Sequence, residues 1–309
     1  MIRIIKGDCI KSLKKLDDKS VNTCITSPPY WGLRNYQEYK QLGMEDTPEE
    51  FISNLVDVFR EVKRVLRDDG TVWLNLGDTY CGTGHKGNYT DPKHKEGRNG
   101  QKIALNNKID GLKSKDLVGI PWRVALALQQ DGWYLRQDII WHKPNPMPES
   151  VKDRCTKAHE YIFLLSKNVK YYFDNEAIKE DSKSAGKKSD GFKGRQGGAE
   201  YHATGGGIGS DEKIYDKRNK RSVWTVTTKP FKGAHFATFP MDLIKPCVLA
   251  GCSEGGTVLD PFAGSGTTGI VAANNDRNAV MCELNEEYIN LAKERINTQV
   301  GLWAEVVDD

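Results

Sequence analysis

Two strand–loop–helix units follow one another at the carboxyl end of this 309-residue chain, and they restrict the fold more than any other stretch. Thr257-Val258-Leu259-Asp260 is a short β-rich run, Pro261 to Gly266 is a glycine-containing loop, and Thr267 to Asn274 reads as a helix. The pattern then repeats. Asn278 to Cys282 is mostly apolar, Glu283 closes it, and Asn285 to Ile296 reads as a helix. Such a unit places a ligand at the carboxyl end of a parallel strand. Glycine lets the backbone approach that ligand and adopt positive φ. An acidic residue ending the second strand is placed to accept hydrogen bonds from ribose hydroxyls.

Gly264, Gly266 and Gly269 fit the G-x-G-x-x-G spacing, so a dinucleotide remains a reading of this loop. It would need a second mononucleotide half, which does not follow here. A triphosphate would need Gly-Lys-Ser/Thr, which is absent.

A second motif stands near the start. Val21 to Thr26 is β-rich and runs into Ser27-Pro28-Pro29-Tyr30-Trp31. Two prolines fix φ and remove two backbone donors, so the loop is stiff and offers carbonyl oxygens. Ser27 adds an acceptor. Such a loop suits both hydrogens of a planar NH2 group, and Tyr30 supplies a ring on which a base could stack. A proline-stiffened turn with a buried tyrosine is the plain structural reading of the same residues.

Between the motifs, strands alternate with helices, which implies a mostly parallel sheet with helices on both faces. Ile2 to Ile5 is a strand and Cys9 to Leu16 is helical. Pro48 to Leu66 carries Phe51, Leu55, Val58, Phe59, Val62 and Leu66 on one face, and Asp68-Asp69-Gly70 ends it. Thr71 to Leu76, Tyr134 to His142 and Tyr161 to Ser166 are strands. Pro121 to Gln130 and Pro240 to Ala250 are helices. Two polar, glycine- and lysine-rich stretches interrupt this, 80–116 and 182–222. Loops of that length are functional or disordered, so both are candidate partner-contacting segments as well as solvated insertions.

A net charge of +3 and a pI of about 8.3 permit nucleic-acid binding without demanding it. No apolar run spans a membrane and no secretory pattern opens the chain, so a cytoplasmic protein is expected. Seven scattered cysteines without Cys-x-x-Cys read as reduced thiols, and no metal site is expected. Pro246-Cys247 has the look of a nucleophilic pair, but it lies in an apolar helix, and Cys247 reads as core.

The ordered pair of motifs resembles the β group of amino-methyltransferases acting on DNA, in which Ser/Asp-Pro-Pro-Tyr precedes Phe-x-Gly-x-Gly. The resemblance covers most of the chain. It implies a Rossmann-like α/β fold in circularly permuted methyltransferase order with an inserted recognition region. It divides the chain into a catalytic part, 1–178, a target-recognition insertion, 179–222, and a cofactor-binding part, 223–309. The implied cofactor is S-adenosyl-L-methionine. Asp8, Phe236, Thr238, Phe239, Asp260, Pro261, Phe262, Gly264, Gly266, Thr267 and Glu283 match its binding positions, and Ser27, Pro28, Pro29 and Tyr30 the catalytic ones. Trp31, Trp141 and Lys143 are expected at the target-base pocket, with Lys217, Arg218, Lys220 and Arg221 on the DNA. The implied partner is double-stranded DNA carrying a flipped base, acted on by a monomer or homodimer. A cognate restriction endonuclease is a partner in function. Serine before Pro-Pro-Tyr leans toward cytosine N4 over adenine N6. RNA or protein-glutamine methylation, and a catalytically silent nucleic-acid-binding module, are the other classes that these motifs leave open.

Overall fold

Burial along the strands shows how the sheet is covered. In the computed structural model, which describes residues 1–32, 41–82, 109–182, 216–228, 239–301 and 305–308, Ala279, Val280, Met281 and Cys282 are all buried. Successive strand residues face opposite sides, so a run buried at every position needs cover on both. The helices supply it in two groups. Cys9–Lys14 (α1), Pro48–Val65 (α2) and Ile120–Gln130 (α3) pack in series, as do Met241–Gly251 (α4), Thr267–Ala273 (α5) and Glu286–Val300 (α6).

The strands are Ile2–Lys6 (β1), Val21–Thr26 (β2), Leu66–Leu76 (β3), Tyr134–His142 (β4), His159–Ser166 (β5), Glu180–Asp181 (β6), Lys217–Arg218 (β7), Val223–Thr225 (β8), Thr257–Asp260 (β9), Asn278–Glu283 (β10) and Glu305–Asp308 (β11). Nine of them form one sheet, in the order β11-β1-β10-β9-β2-β3-β5-β4-β8. Every neighbouring pair is parallel except the two that involve β5. This is the mixed α/β, mostly parallel architecture that the alternating pattern implied.

Local chemistry explains the best-defined helix. Thr47 caps α2 by accepting from Glu50 N at 3.2 Å, Pro48 occupies its first turn, and Glu49 and Glu50 face the positive end of the dipole. Lys63 and Arg64 complement the other end. Phe51, Leu55, Val58, Phe59 and Val62 are fully buried, each contributing about 1.5–3 kcal/mol of transfer free energy.

One boundary differs from the expectation. Asp68-Asp69-Gly70 does not separate α2 from its strand, because β3 already begins at Leu66. The register against β2 jumps from Val21–Leu66 to Thr23–Thr71, so the polar residues bulge out of the pairing. Lys19 meets Asp68 there at 2.8 Å.

Residues Asn175–Arg221 form a compact unit of their own, beside the expected insertion 179–222. Its described part is the antiparallel pair β6–β7 with a 3-10 turn at Glu176–Ile178. Glu180 accepts from Arg221 N at 2.8 Å and pairs with the guanidinium groups of Arg218 and Arg221 at 3.4 and 3.2 Å. Much of the two polar stretches, 83–108 and 183–215, lies outside the described residues.

Candidate active site

Because β1, β2, β3, β9 and β10 run in parallel, their carboxyl ends share one edge of the sheet. Both motifs leave from it. Ser27-Pro28-Pro29-Tyr30 follows β2 and the glycine loop follows β9, and these strands are neighbours. Thr26 Oγ1 donates to Asp260 Oδ1 at 2.7 Å, joining the roots of the two loops.

Asp260 is 1% exposed and accepts also from Thr268 Oγ1 at 2.6 Å and Phe262 N at 3.1 Å. Burial raises its pKa and these three donors oppose the rise. Its carboxylate is thus bonded within the protein and holds together the roots of the loop expected to bind the cofactor.

Glu283 is the acid at the loop's mouth. Its Oε2 accepts from Gly264 N at 2.7 Å and its Oε1 from Asn285 N at 2.9 Å. Burial outweighs these bonds and pushes its pKa up to about 7. Gly264 and Gly266 both have positive φ, +51° and +74°, and a Cβ on Gly266 would lie 2.9 Å from that of Ala292. Both glycines are thus required by the backbone. Pro261 and Thr267 are buried, while Phe262 is half-buried. Arg295 reaches from α6 to Ser265 O at 2.6 Å and Thr267 Oγ1 at 3.1 Å, fastening the loop from behind.

Asp8 follows β1, whose Lys6 stands opposite Glu283 in the β1–β10 register. Its Oδ1 caps α1 by accepting from Lys11 N at 3.1 Å. Phe239 is half-buried just before α4, and Phe236 and Thr238 lie outside the described residues.

Pro28 is buried, and Ser27, Pro29 and Tyr30 are half-buried. The Tyr30 ring lies against the backbone of Gly77, where an added Cβ would come within 2.5 Å of Cε2. Its hydroxyl donates to Glu160 Oε2 at 2.8 Å, with Asn75 Oδ1 at 3.3 Å. Asn75 Nδ2 in turn donates to Tyr161 O at 3.0 Å. Lys143 pairs with Glu160 Oε1 and sits 4.2 Å from the centroid of the Trp141 ring.

Both tryptophans expected at the base pocket are buried. Trp31 is 2% exposed and belongs to the hydrophobic core, with Nε1 donating to Glu45 O at 2.9 Å. It packs in the core cluster with Phe51, Leu55 and Phe59. Trp141 is buried as well, with its Nε1 donating to Val226 O at 2.8 Å, so Lys143 covers its face. Cys247 is fully buried in α4, as its apolar surroundings implied.

Asn75, Asp78, Glu160 and Arg295 are the residues that sequence reading missed. Asp78 had a signal, since Gly77-Asp78 closes a strand. Its Oδ1 accepts from Gly119 N and Ile120 N at 3.0 Å each and caps α3. Glu160 had none.

The DNA methylase family N6_N4_Mtase matches residues 21–294. The type II methyltransferase M.SmaI of Serratia marcescens is 50% identical over 295 residues, covering 95% of this chain and 90% of that protein. M.Cfr9I of Citrobacter freundii, also a type II methyltransferase, is 48% identical, covering 95% and 87%. Among solved structures, TTHA0409 of Thermus thermophilus in complex with S-adenosyl-L-methionine superposes with a TM-score of 0.62 at 24% identity, over 100% of both chains. The PvuII DNA methyltransferase, described as cytosine-N4-specific, gives 0.63 at 18% identity over 94% of this chain and 84% of that one. The family match over most of the chain, the near-full-length relatives and the shared fold agree with the paired loops at the sheet edge: this chain belongs to the N6_N4_Mtase family of DNA methylases.

Proposed function

We propose that this protein is a type II DNA methyltransferase that uses S-adenosyl-L-methionine to methylate the N4 amine of a cytosine flipped out of duplex DNA. The observation that carries the reading is the Thr26–Asp260 bond, which ties the amine-accepting loop to the glycine loop across two neighbouring parallel strands.

The residues fit that cofactor. Glu283 offers a carboxylate to ribose hydroxyls, and Gly264 and Gly266 leave the backbone open to close approach. When bound, S-adenosyl-L-methionine supplies an electrophilic methyl group on a sulfonium. The chain's own task is to orient the amine. An exocyclic NH2 is a poor nucleophile because its lone pair is delocalised into the ring. Ser27 and the Pro28 carbonyl, as acceptors for both hydrogens, favour the pyramidal form with a freer lone pair. The same acceptors stabilise the positive charge that develops on nitrogen. Ser27 is too weak a base near neutral pH to abstract a proton, so acceptor strength and alignment are the means. The base must leave the stack to reach this edge, and Tyr30 offers it a ring.

Cytosine is favoured by serine at the first position of the motif and by the likeness to the cytosine-N4-specific PvuII enzyme. The test is to methylate DNA with the purified protein, digest it to nucleosides and identify the product by mass spectrometry. N4-methylcytosine is expected. N6-methyladenine alone would replace the target base while keeping the class, and no modified base would overturn the reading.

A further inference from the structure

We propose that Glu160 is a positioning residue for the Tyr30 ring, acting from the amino end of β5, which runs antiparallel to its neighbours β3 and β4. The inference rests on the reading that Tyr30 faces the target base.

Strand polarity brings the carboxylate here. The parallel strands present their carboxyl ends at the active edge, whereas β5, antiparallel to both β3 and β4, presents its amino end. Glu160 stands opposite Trp141 in the β4–β5 register, and Leu76, the last residue of β3, is opposite Tyr161. Residues from β3, β4 and β5 therefore converge on the loop that follows β2.

The geometry is specific to Tyr30. The rings of Pro28 and Pro29 fix φ at those two residues but leave the Tyr30 side chain its own torsions. Gly77 bounds the ring on its edge, and the Glu160 carboxylate holds its tip at 2.8 Å. The other carboxylate oxygen takes Lys143, so one side chain orders both Tyr30 and Lys143. Glu160 and Lys143 are only 16% and 18% exposed. Desolvating such a pair costs about as much as the attraction returns, so fold stability gives little reason for a charged pair at this place on a strand. Orientation of the phenol and the ammonium does give one.

The test uses the full chain with Glu160→Gln, Tyr30→Phe, the double variant and Tyr30→Ala. Methylation kcat and KM for DNA, cofactor affinity by calorimetry and Tm are measured. Glu160→Gln and Tyr30→Phe should each lower kcat about tenfold, the size of one pairwise coupling. Cofactor affinity should stay within about twofold, and the double variant should be little worse than either single one. A residue that only supports the fold would lower Tm and leave kcat of the folded fraction unchanged. Independent, multiplying losses in the double variant would overturn the proposal. So would wild-type kcat in Tyr30→Phe, which removes only the hydroxyl and stands even if Glu160→Gln does not fold. If Tyr30→Ala is inactive while the Glu160 and Tyr30→Phe variants are normal, only this inference fails. If Tyr30→Ala turns over normally, the base-loop reading fails with it.

Discussion

Thr26 and Asp260, 234 residues apart in sequence, share a 2.7 Å hydrogen bond beneath the two functional loops. Thr26→Val keeps the shape and deletes the donor, leaving a buried carboxylate underbonded. A loss of about 1–3 kcal/mol in stability is expected. Burial already raises the Asp260 pKa, so its ionisation costs the folded state. A group raised in this way contributes stability at low pH that is lost as pH rises through its folded pKa. The variant's loss should therefore grow as pH rises through the folded pKa of Asp260, as measured by Tm over a pH series. A loss independent of pH would contradict the assignment.

Cofactor affinity should depend on pH through Glu283. Its pKa is raised from 4.5 to about 7, and only the ionised form offers full acceptor strength to ribose hydroxyls. Affinity should strengthen as pH rises through about 7, with a proton released on binding below that value. Fold stability has the opposite trend from this group, being lost over the same rise. Calorimetry in buffers of different ionisation enthalpy reads the proton release directly. Glu283→Gln should weaken binding and flatten the profile, and an unchanged profile in that variant would remove Glu283 from the site.

Gly77 offers a steric probe of the Tyr30 ring. It is buried at the end of β3, and its φ is not among the positive ones, so alanine is allowed by the backbone. The new methyl would fall 2.5 Å from Tyr30 Cε2 and displace the ring. Gly77→Ala should lower turnover by about tenfold or more while cofactor affinity holds. Wild-type kinetics would show that ring placement does not matter to the reaction.

The basic cluster at residues 217–221 divides by partner. Arg218 and Arg221 pair with Glu180, so their loss should first disturb the β6–β7 unit. Lys217 is exposed. If it meets a phosphate, Lys217→Glu should weaken DNA binding and reduce the log–log salt slope by about 0.9. Filter binding or anisotropy over a salt series measures both, and an unchanged slope would mark Lys217 as a solvated surface residue.

Periodicity and motif chemistry are local properties, and the sequence carried them. The face of α2, the strand–loop–helix order around Asp260 and Glu283, and the proline-stiffened exit from β2 were all legible for that reason. The short strands β6, β7, β8 and β11 were not, because they are two to four residues long and owe their form to a neighbouring strand. Asp260 was legible as the end of the loop strand, but its bond to Thr26 across 234 residues of sequence was not. The burial of Trp31 in the core, with its indole nitrogen donating to Glu45 O, was likewise not legible. Glu160, 130 residues from Tyr30, stands in a stretch with no motif at all. Which end of β5 meets the active edge is set by strand pairing, a tertiary property that no local window of residues contains.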